Sequence, residues 1–444
     1  MSKTDIAVIV LAAGKGTRMK SELPKVLHSI AGKPMIGHVI DTAMNLKPKH
    51  LITVLGPNMT DVARAIAHTS QSVVQNERLG TADAVKPALA VLGKFDGIII
   101  ILYADTPLIK HETLISMVRK LDKTDVAVLG FMAKDATGYG RLVLDKNNNL
   151  KKIIECKDAT NEEKKINLAN SGIFACKGKI LPKLIKQVDN KNAKGEYYLT
   201  DIVAIASKDG YKTGYITGDE QEVQGVNDRA QLSDAEYIYQ QRMRYKFMVD
   251  GVTMPDPESV YFWYDTKIAK DVTIGQNVVF GEEVEIESNV EIRPFCHIVG
   301  AKIGKSSIIG PFARLRPGTN IAANVRIGNY VEIKKTDIKA GTKIPHLSYI
   351  GDAKIGKDAN IGAGTITCNY DGFSKYVTEI GDGVFIGSNS VLVAPVKIGT
   401  DAFVAAGSTI TKNVPKEALA IGRAKQTEKL GWIKIFRKRK SKMK

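Results

Sequence analysis

The chain has 444 residues, of which 44% are hydrophobic and 25% are charged, and its net charge is +17. This length predicts two or three domains, each able to bury a core. The composition is typical of a soluble globular protein, and no apolar run approaches the ~20 residues that a membrane-spanning helix requires.

Cysteine usage and the first residues both predict a cytoplasmic protein. The first five residues run directly into a predicted strand without the pattern of a signal peptide. The cysteines are far apart and lack metal-ligand spacing, so we expect free thiols in a reducing cytosol. They are Cys156, Cys176, Cys296 and Cys368.

Part of the positive charge lies in the tail, residues 434–444, which holds seven basic residues and no acidic one. Such a tail could touch nucleic acid or an anionic membrane. We expect a solvated, disordered end instead. The remaining positive charge suits anionic substrates equally well.

The first predicted element is a buried strand over Ile6–Leu11, followed by a glycine-rich basic loop. The loop reads Leu11-Ala12-Ala13-Gly14-Lys15-Gly16-Thr17-Arg18-Met19, with Pro24-Lys25 beyond it. Glycine leaves backbone N–H groups open to an anion, and the cations suit phosphates. The glycine spacing is neither the dinucleotide fingerprint nor a P-loop. A structural turn is the alternative interpretation.

Strands and helices alternate through residues 1–227. Strand-like runs occur at residues 51–55, 98–102, 126–133 and 171–175, and helical patterns at 35–46 and 81–92. This alternation predicts an α/β domain whose mostly parallel sheet has helices on both faces. Ligands bind such sheets at the carboxyl ends of strands. Asp105 lies at such an end and is predicted to hold Mg²⁺ against a triphosphate. The alternative is a turn residue before Pro107.

The loop string with Pro24-Lys25 resembles sugar-nucleotide pyrophosphorylases, which have a Rossmann-like nucleotidyltransferase domain. The resemblance extends to the segments around Gln75, Tyr103, Gly140, Asn170 and Asn227. It implies catalytic roles for Lys25 and Arg18 and metal binding by Asp105 and Asn227. The implied nucleotide and sugar-nucleotide ligands are Leu11, Ala12, Ala13, Gly14, Lys25, Gln75, Gly80, Thr81, Tyr103, Ala104, Asp105, Gly140, Glu155, Asn170 and Asn227.

The chain departs from that family at two places near the expected nucleotide. Ala104 stands where the family usually has Gly, and Ala82-Asp83 stands where it usually has Gly-His. These changes add a methyl group and a carboxylate, and we expect them to act on nucleotide fit or affinity.

Residues 228–250 are predicted to form a helical connector. Leu232, Ala235, Tyr239, Met243 and Phe247 recur at helical spacing. Asp228 suits the start of the helix, and Gly251 suits its end. The alternative is a packed helix of the first domain.

A six-residue repeat dominates the chain from residue 251. Aliphatic residues recur at Ile274, Phe280, Ile286, Ile292 and Ile298, and the pattern continues past Ile398. This period predicts a triangular parallel β-helix with one inward side chain on each face. The resemblance to hexapeptide-repeat acyltransferases implies that the coil is left-handed.

The repeat is interrupted by an insertion at residues 368–375, which we expect to form an external loop. His346 is predicted to project outward and act as a general base, the alternative being an ordinary surface histidine. Glu332 precedes His346 by fourteen residues, which is close to one coil turn. We expect it to orient the imidazole of His346 and to favour the charged form of that ring.

Taken together, both halves resemble the family of bacterial bifunctional N-acetylglucosamine-1-phosphate uridyltransferases / glucosamine-1-phosphate acetyltransferases. The match covers residues 4 to about 423, with the string at residues 360–372 the most specific part. It implies acetyl transfer from acetyl-CoA to glucosamine 1-phosphate, and then uridylyl transfer from UTP. The product, UDP-N-acetylglucosamine, would feed peptidoglycan and lipopolysaccharide precursor synthesis.

The resemblance also implies ligands, partners and boundaries. A uridyltransferase domain would span residues 1–227, a linker helix 228–250, and an acetyltransferase β-helix with the basic tail 251–444. We expect Mg²⁺ as cofactor, small-molecule partners, a homotrimer with the acetyl site between subunits, no nucleic acid and no stable membrane insertion. Arg316, Lys334, Tyr349, Asn360 and Lys375 would bind the sugar phosphate. Ala363, Asn369, Tyr370, Ser388, Ala406 and Arg423 would bind acetyl-CoA.

Two other interpretations remain open. The chain could be a pyrophosphorylase whose β-helix only assembles subunits, although a scaffold has no need of His346 and its basic neighbours. It could instead be a non-enzymatic nucleic-acid binder that uses the basic tail, although the sequence lacks interleaved aromatic residues for stacking on bases.

Overall fold

The computed structural model describes residues 4–442, which form two compact units with the boundary between Arg242 and Met243. The first unit contains a nine-stranded mixed sheet. Its strands are β1 (Ile6–Leu11), β2 (His50–Leu55), β3 (Gln71–Val74), β4 (Ile98–Tyr103), β5 (Val126–Met132), β6 (Arg141–Leu144), β7 (Leu150–Ile154), β8 (Leu168–Lys177) and β9 (Thr213–Gly218). Their order in the sheet is β9-β5-β8-β4-β1-β2-β3, with a β6–β7 hairpin attached to β8.

Helices cover both faces of this sheet and bury a hydrophobic cluster on each. Strands buried on both faces carry continuous apolar runs, and the aliphatic sequence of β4 follows from that position. A separate two-stranded hairpin pairs Ser29–Ile30 with Lys33–Pro34. The helices are α1 (Met35–Asn45), α2 (Thr60–Ile66), α3 (Thr81–Leu92), α4 (His111–Lys120), α5 (Leu181–Ile185), α6 (Asp201–Lys208) and α7 (Glu220–Val223), with 3-10 turns at Thr17–Met19, Lys25–Leu27 and Glu163–Lys165.

The predicted α/β class is confirmed, with one difference in strand direction. Strand β8 runs antiparallel to both of its neighbours, β4 and β5. The β6–β7 hairpin was not predicted, because its short strands carry charged residues that weaken the apolar signal.

Helix α8 spans Arg229–Val249, and the unit boundary falls within it. Asp228 caps its first turn, because its side chain accepts the backbone N–H of Gln231 at 2.9 Å. Ala235 packs in the first unit, and Phe247 belongs to the core of the second. The division into residues 1–227, 228–250 and 251–444 stays a prediction.

The second unit is a parallel β-helix in which each coil stacks on the previous one. Ile274 pairs with Ile292, Ile292 with Ile309 and Ile309 with Ile327, so the steps between these coils are eighteen, seventeen and eighteen residues. One face carries Thr273–Ile274, Glu291–Ile292, Ile308–Ile309, Arg326–Asn329, Lys343–His346, Asn360–Ile361, Phe385–Ile386, Phe403–Val404 and Leu419–Ala420.

The other two faces join into one fourteen-stranded sheet because some strands run around a corner. Its strands are Lys267–Ile268, Val279–Phe280, Glu285–Ile286, His297–Ile298, Ala301–Ile303, Arg314–Leu315, Thr319–Ile321, Glu332–Ile338, Tyr349–Ile355, Ile366–Cys368, Thr378–Ile380, Val391–Val393, Val396–Ile398 and Thr409–Ile410; a 3-10 turn at Pro257–Ser259 precedes them. The predicted inward residues form one continuous buried column. The insertion stands outside the coil, with Phe373 95% exposed.

The tail differs from expectation. Residues Trp432–Ser441 form helix α9, so the prediction of a disordered end is wrong there, and Met443 and Lys444 lie outside the described residues. Among the helices of residues 4–442, none combines the length and the hydrophobicity that a membrane-spanning segment requires.

Candidate functional site

The first candidate site lies where two adjacent parallel strands of the first unit end. Leu11 at the end of β1 is in register with Tyr103 at the end of β4. The glycine-rich loop and Asp105 therefore emerge at the same edge of the sheet. The N–H of Val226 donates to the carbonyl of Asp105 at 2.8 Å and so holds Asn227 at this edge.

Lys25 lies between the two predicted metal ligands. Its Nζ is 2.5 Å from Asp105 Oδ2 and 3.2 Å from Asn227 Oδ1. Arg18 also donates to Asn227 Oδ1, at 2.8 Å. Two cations and two oxygen ligands thus converge on one point, which suits polyphosphate chemistry.

The loop glycine Gly16 makes this approach possible. Its φ is +63°, and a Cβ built on it would lie 2.5 Å from the Cβ of Lys25. A side chain here would both strain the backbone and displace Lys25.

A cavity of about 270 Å³ opens beside these residues. It is lined by Leu11, Ala12, Ala13, Gly14, Lys25, Val26, Gln75, Arg78, Gly80, Thr81, Ala84, Tyr103, Asp105 and Glu196. Ala104 is instead buried in the hydrophobic cluster of one sheet face, so its methyl group packs in the core. The other predicted sugar-nucleotide ligands outside this lining are Gly140, Glu155, Asn170 and Asn227.

Asp83, one of the departures from the family pattern, holds the amide of Gln75. Gln75 Nε2 donates to Asp83 Oδ2 at 3.0 Å and to the carbonyl of Gly80 at 3.2 Å. Gln75 is 5% exposed, and its amide nitrogen is saturated by these bonds. Its carbonyl oxygen is therefore the group oriented for a ligand.

Replacing Asp83 with Ala removes one of the two bonds that fix Gln75. We expect KM for the predicted nucleotide substrate, UTP, to rise roughly 2- to 10-fold at unchanged kcat, since one hydrogen bond contributes about 0.5–1.5 kcal/mol. Steady-state pyrophosphate release measures this. Lys86 pairs with the other oxygen of Asp83, so Lys86→Ala is the matched control. An equal rise in KM in both variants would contradict a role through Gln75.

Tyr103 lines the cavity with an uncharged side chain. Burial raises the pKa of Tyr103, and its hydroxyl hydrogen bonds with the side chain of Thr81. Thr81 Oγ1 also accepts the N–H of Leu199 at 2.9 Å. These contacts tie the start of α3 to the segment before α6.

The segments predicted to contact the sugar are joined in pairs. The N–H of Asn170 donates to the carbonyl of Gly140 at 2.9 Å, and Thr200 Oγ1 donates to Glu155 at 3.1 Å. Burial, followed by the nearby carboxylates, raises the pKa of Asp201 to about 6. The sugar end of the site is therefore acidic and polar.

Arg78 also lines the cavity, although the sequence alone did not predict it. Its Nε donates to the carbonyl of Ala13 at 2.7 Å, which fixes the glycine-rich loop. A single arginine inside the segment from Gln75 to Gly80 carries no periodic signal, so only its spatial position identifies it.

The second candidate site follows one corner of the β-helix. Asn329 is in register with His346, and the N–H of Leu347 donates to the carbonyl of Asn329. Farther along, Asn389 N–H donates to the carbonyl of Ala363, and Gly407 N–H to that of Ser388. Arg423 Nη1 donates to the carbonyl of Ala406 at 2.8 Å. The same corner therefore carries several residues predicted for the acetyl-transfer site, namely His346, Ala363, Ser388, Ala406 and Arg423.

His346 has a different partner from the one expected. Its Nδ1 lies 2.6 Å from Asn329 Oδ1. Glu332 instead accepts from Arg316 at 2.8 Å and, by strand register, stacks on Tyr349. The coil step here is seventeen residues, not fourteen, which brings Asn329 rather than Glu332 beside the imidazole. The role of Glu332 in catalysis stays a prediction.

Asn329→Ala tests this contact. If Asn329 Oδ1 fixes the imidazole by accepting Nδ1–H, we expect kcat for the predicted acetyl transfer to fall about 10-fold with little change in KM. Asn329→Asp should restore orientation but favour imidazolium, which moves the acidic limb of the pH–rate profile to higher pH. Asn320→Ala, which removes a 2.9 Å contact to Asp337, is the control. Unchanged profiles in both Asn329 variants would contradict the assignment.

A cluster of lysines lies on the neighbouring face. Lys334 pairs with buried Asp352 at 3.4 Å, and Asp352 also accepts from Asn369 at 2.5 Å. The adjacent ammonium of Lys334 lowers the pKa of Lys375. Two like charges this close favour an anionic ligand between them, and the insertion delivers one of them.

Comparisons with known proteins bear on both units. The Nucleotidyl transferase family model matches residues 7–271, and the Bacterial transferase hexapeptide (six repeats) model matches residues 300–335 and 378–412. Three relatives are each described as "Bifunctional protein GlmU". The Paramagnetospirillum magneticum protein is 51% identical over 440 residues, covering 98% of both chains. The Zymomonas mobilis protein is 49% identical over 98% of both chains, and the Azorhizobium caulinodans protein 49% over 100% of both.

Proposed function

The chain belongs to the family of bifunctional GlmU proteins, and on that premise we propose how each of its two sites works. It is a bifunctional enzyme of UDP-N-acetylglucosamine synthesis, with a nucleotidyltransferase domain followed by a left-handed parallel β-helix. It transfers acetyl from acetyl-CoA to glucosamine 1-phosphate and then uridylyl from UTP to N-acetylglucosamine 1-phosphate. The product feeds precursors of peptidoglycan and lipopolysaccharide.

In the first unit, the phosphate oxygen of the sugar attacks the α-phosphorus of UTP and pyrophosphate leaves. Both reactants are anions, so positioning and charge neutralisation supply most of the catalysis. Arg18 and Lys25 neutralise the phosphates from the loop edge. Gln75, held by Asp83, presents its carbonyl oxygen to the uracil N–H.

Mg²⁺ fits Asp105 and Asn227. Their side-chain oxygens both contact the single Nζ of Lys25, so one cation can reach both. Carboxylate and amide oxygens suit Mg²⁺, which normally takes its other ligands from phosphate and water. Bound there, the metal would polarise the phosphoryl oxygens. Lys25 would then turn from Asp105 toward the phosphates.

On the β-helix, the substrate amine attacks the thioester carbonyl of acetyl-CoA and His346 takes a proton from the amine. The C–S bond then breaks, and CoA leaves as its thiolate. Asn329 holds the imidazole through Nδ1, which leaves Nε2 as the base. Arg316, Lys334 and Lys375 hold the phosphate. Tyr349 and Asn360 would contact the sugar. Acetyl-CoA would lie along the corner that carries Ala363, Ser388, Ala406 and Arg423. Asn369 and Tyr370 of the insertion would also contact it.

We propose a homotrimer in the cytoplasm. In support, the corner and the lysine cluster lie on different parts of one coil, so a neighbouring subunit would complete the acetyl site. Acetyl-CoA and UTP are intracellular metabolites, and the four cysteines are unpaired.

The convergence of Arg18, Lys25, Asp105 and Asn227 is the observation that carries the proposal. Omission of single substrates tests it. With glucosamine 1-phosphate, acetyl-CoA and Mg²⁺ alone, we expect CoA thiol release without pyrophosphate. With N-acetylglucosamine 1-phosphate, UTP and Mg²⁺ alone, we expect pyrophosphate without CoA. Absence of thiol release would favour a pyrophosphorylase with a scaffolding β-helix.

A further inference from the structure

Helix α9, Trp432–Ser441, is an exposed basic helix that neither proposed reaction uses. Every residue from 421 to 442 is exposed. Its apolar side chains are exposed as well: Trp432 by 51%, Ile433 by 48%, Ile435 by 56% and Phe436 by 41%. Large apolar side chains grouped on an exposed helix indicate a surface for a partner.

The apolar side chains lie on one side of the helix. At about 100° per residue, they fall within an arc of roughly 160° over the first turn and a half. Lys434, Arg437 and Lys438 occupy the opposite side, and the last turns are basic all round. A tryptophan and a phenylalanine on one side, with lysines and arginines on the other, are typical of a helix in a membrane interface.

Charge favours an anionic surface as the occupant. Residues 432–442 contain six basic and no acidic residues. Residues 251–420 contain eighteen basic and eighteen acidic residues. The β-helix of a second copy therefore offers no net charge to attract α9, and a second α9 would repel it. A bilayer with anionic headgroups attracts every one of these cations.

We propose that α9 docks on the surface of an anionic phospholipid bilayer. Its apolar side enters the headgroup boundary, and its lysines and arginines contact the phosphates. The helix has ten residues, about 15 Å in length, so it lies in the interface and does not span the bilayer. A nucleic acid fits less well, because isoleucines offer no stacking face and the Trp432 and Phe436 rings already stack on each other, 5.0 Å apart.

Vesicle binding by the full chain tests this proposal. The chain has two tryptophans, so Trp263→Phe leaves Trp432 as the only tryptophan reporter. On vesicles with 40% phosphatidylglycerol, we expect a blue shift of its fluorescence and co-sedimentation of the protein. On pure phosphatidylcholine, we expect at least 10-fold weaker binding (apparent Kd).

Two sets of variants separate charge from apolar contact. Changing Arg437, Lys438, Arg439 and Lys440 together to Gln should weaken binding at least 10-fold. Trp432→Ser with Phe436→Ser should do the same, read by co-sedimentation. The control changes Lys270, Lys305, Lys412 and Lys416 to Gln, which removes the same charge from exposed sites on the β-helix and should leave binding within 2-fold. Thermal unfolding verifies that each variant is folded.

Several results would overturn the proposal. Equal binding to both vesicle types would refute the role of the α9 charges. The same refutation would follow if the β-helix control variant lost as much binding as the α9 charge variant. Unchanged binding by the Trp432 and Phe436 variant would remove the apolar contact. Tighter binding to single-stranded RNA than to anionic vesicles would identify a nucleic acid. A concentration-dependent blue shift without vesicles would identify a second copy of the chain.

Discussion

His346→Ala is expected to lower kcat for acetyl transfer by about 10²–10⁴-fold, because a positioned general base contributes about that much. The amine of glucosamine 1-phosphate is protonated in water, and the substitution removes the proposed acceptor of its proton. CoA thiol release measures the loss. Uridylyl transfer from N-acetylglucosamine 1-phosphate should remain within 2-fold of the unsubstituted enzyme.

His346→Gln is the companion variant, since it keeps a hydrogen-bonding group beside Asn329 but supplies no base. We expect it to be as inactive as the alanine variant. Full acetyl transfer by either variant would refute the role of His346. A matching loss of uridylyl transfer in a folded variant would refute the separation of the two sites.

Asp105→Ala is expected to lower kcat for uridylyl transfer on the order of 10³-fold. The substitution removes the carboxylate that pairs with Lys25, and with it the proposed metal ligand. Losing several kcal/mol of charge stabilisation corresponds to that factor. Pyrophosphate release measures it, and acetyl transfer should be unaffected.

Magnesium titration separates the metal role from the ion pair. If Asp105 ligates the metal, Asp105→Asn should retain partial activity and need a higher Mg²⁺ concentration for half-maximal rate. Lys25→Ala should lose rate without that shift. An unchanged Mg²⁺ requirement in Asp105→Asn would contradict metal ligation by this carboxylate.

The fold was largely predictable because both halves carry strong periodic signals. The aliphatic run of β4 predicts a strand buried on both faces, and the six-residue spacing that includes Ile309 and Ile327 predicts stacked coils. The antiparallel direction of β8 was not predictable, since β8 has the same kind of apolar run as the parallel strands of the sheet. Strand direction depends on how the chain returns, which a local pattern does not encode.

The site was predictable where residues follow strands and unpredictable where they meet across coils. Asp105 is the second residue after β4, so its position at the sheet edge follows from the sequence. Asn329 reaches His346 only because that coil step is seventeen residues. The contact between Asp83 and Gln75 was also not predictable, because it joins two different parts of the fold.

The central claim is that two independent sites on this chain act in succession. Mixing the two variants is the most direct test of it. Purified His346→Ala and Asp105→Ala proteins would be incubated with glucosamine 1-phosphate, acetyl-CoA, UTP and Mg²⁺, and UDP-N-acetylglucosamine quantified. We predict almost no product from either variant alone and sustained formation from the mixture. No product from the mixture, while each variant retains its own half-reaction, would contradict the claim.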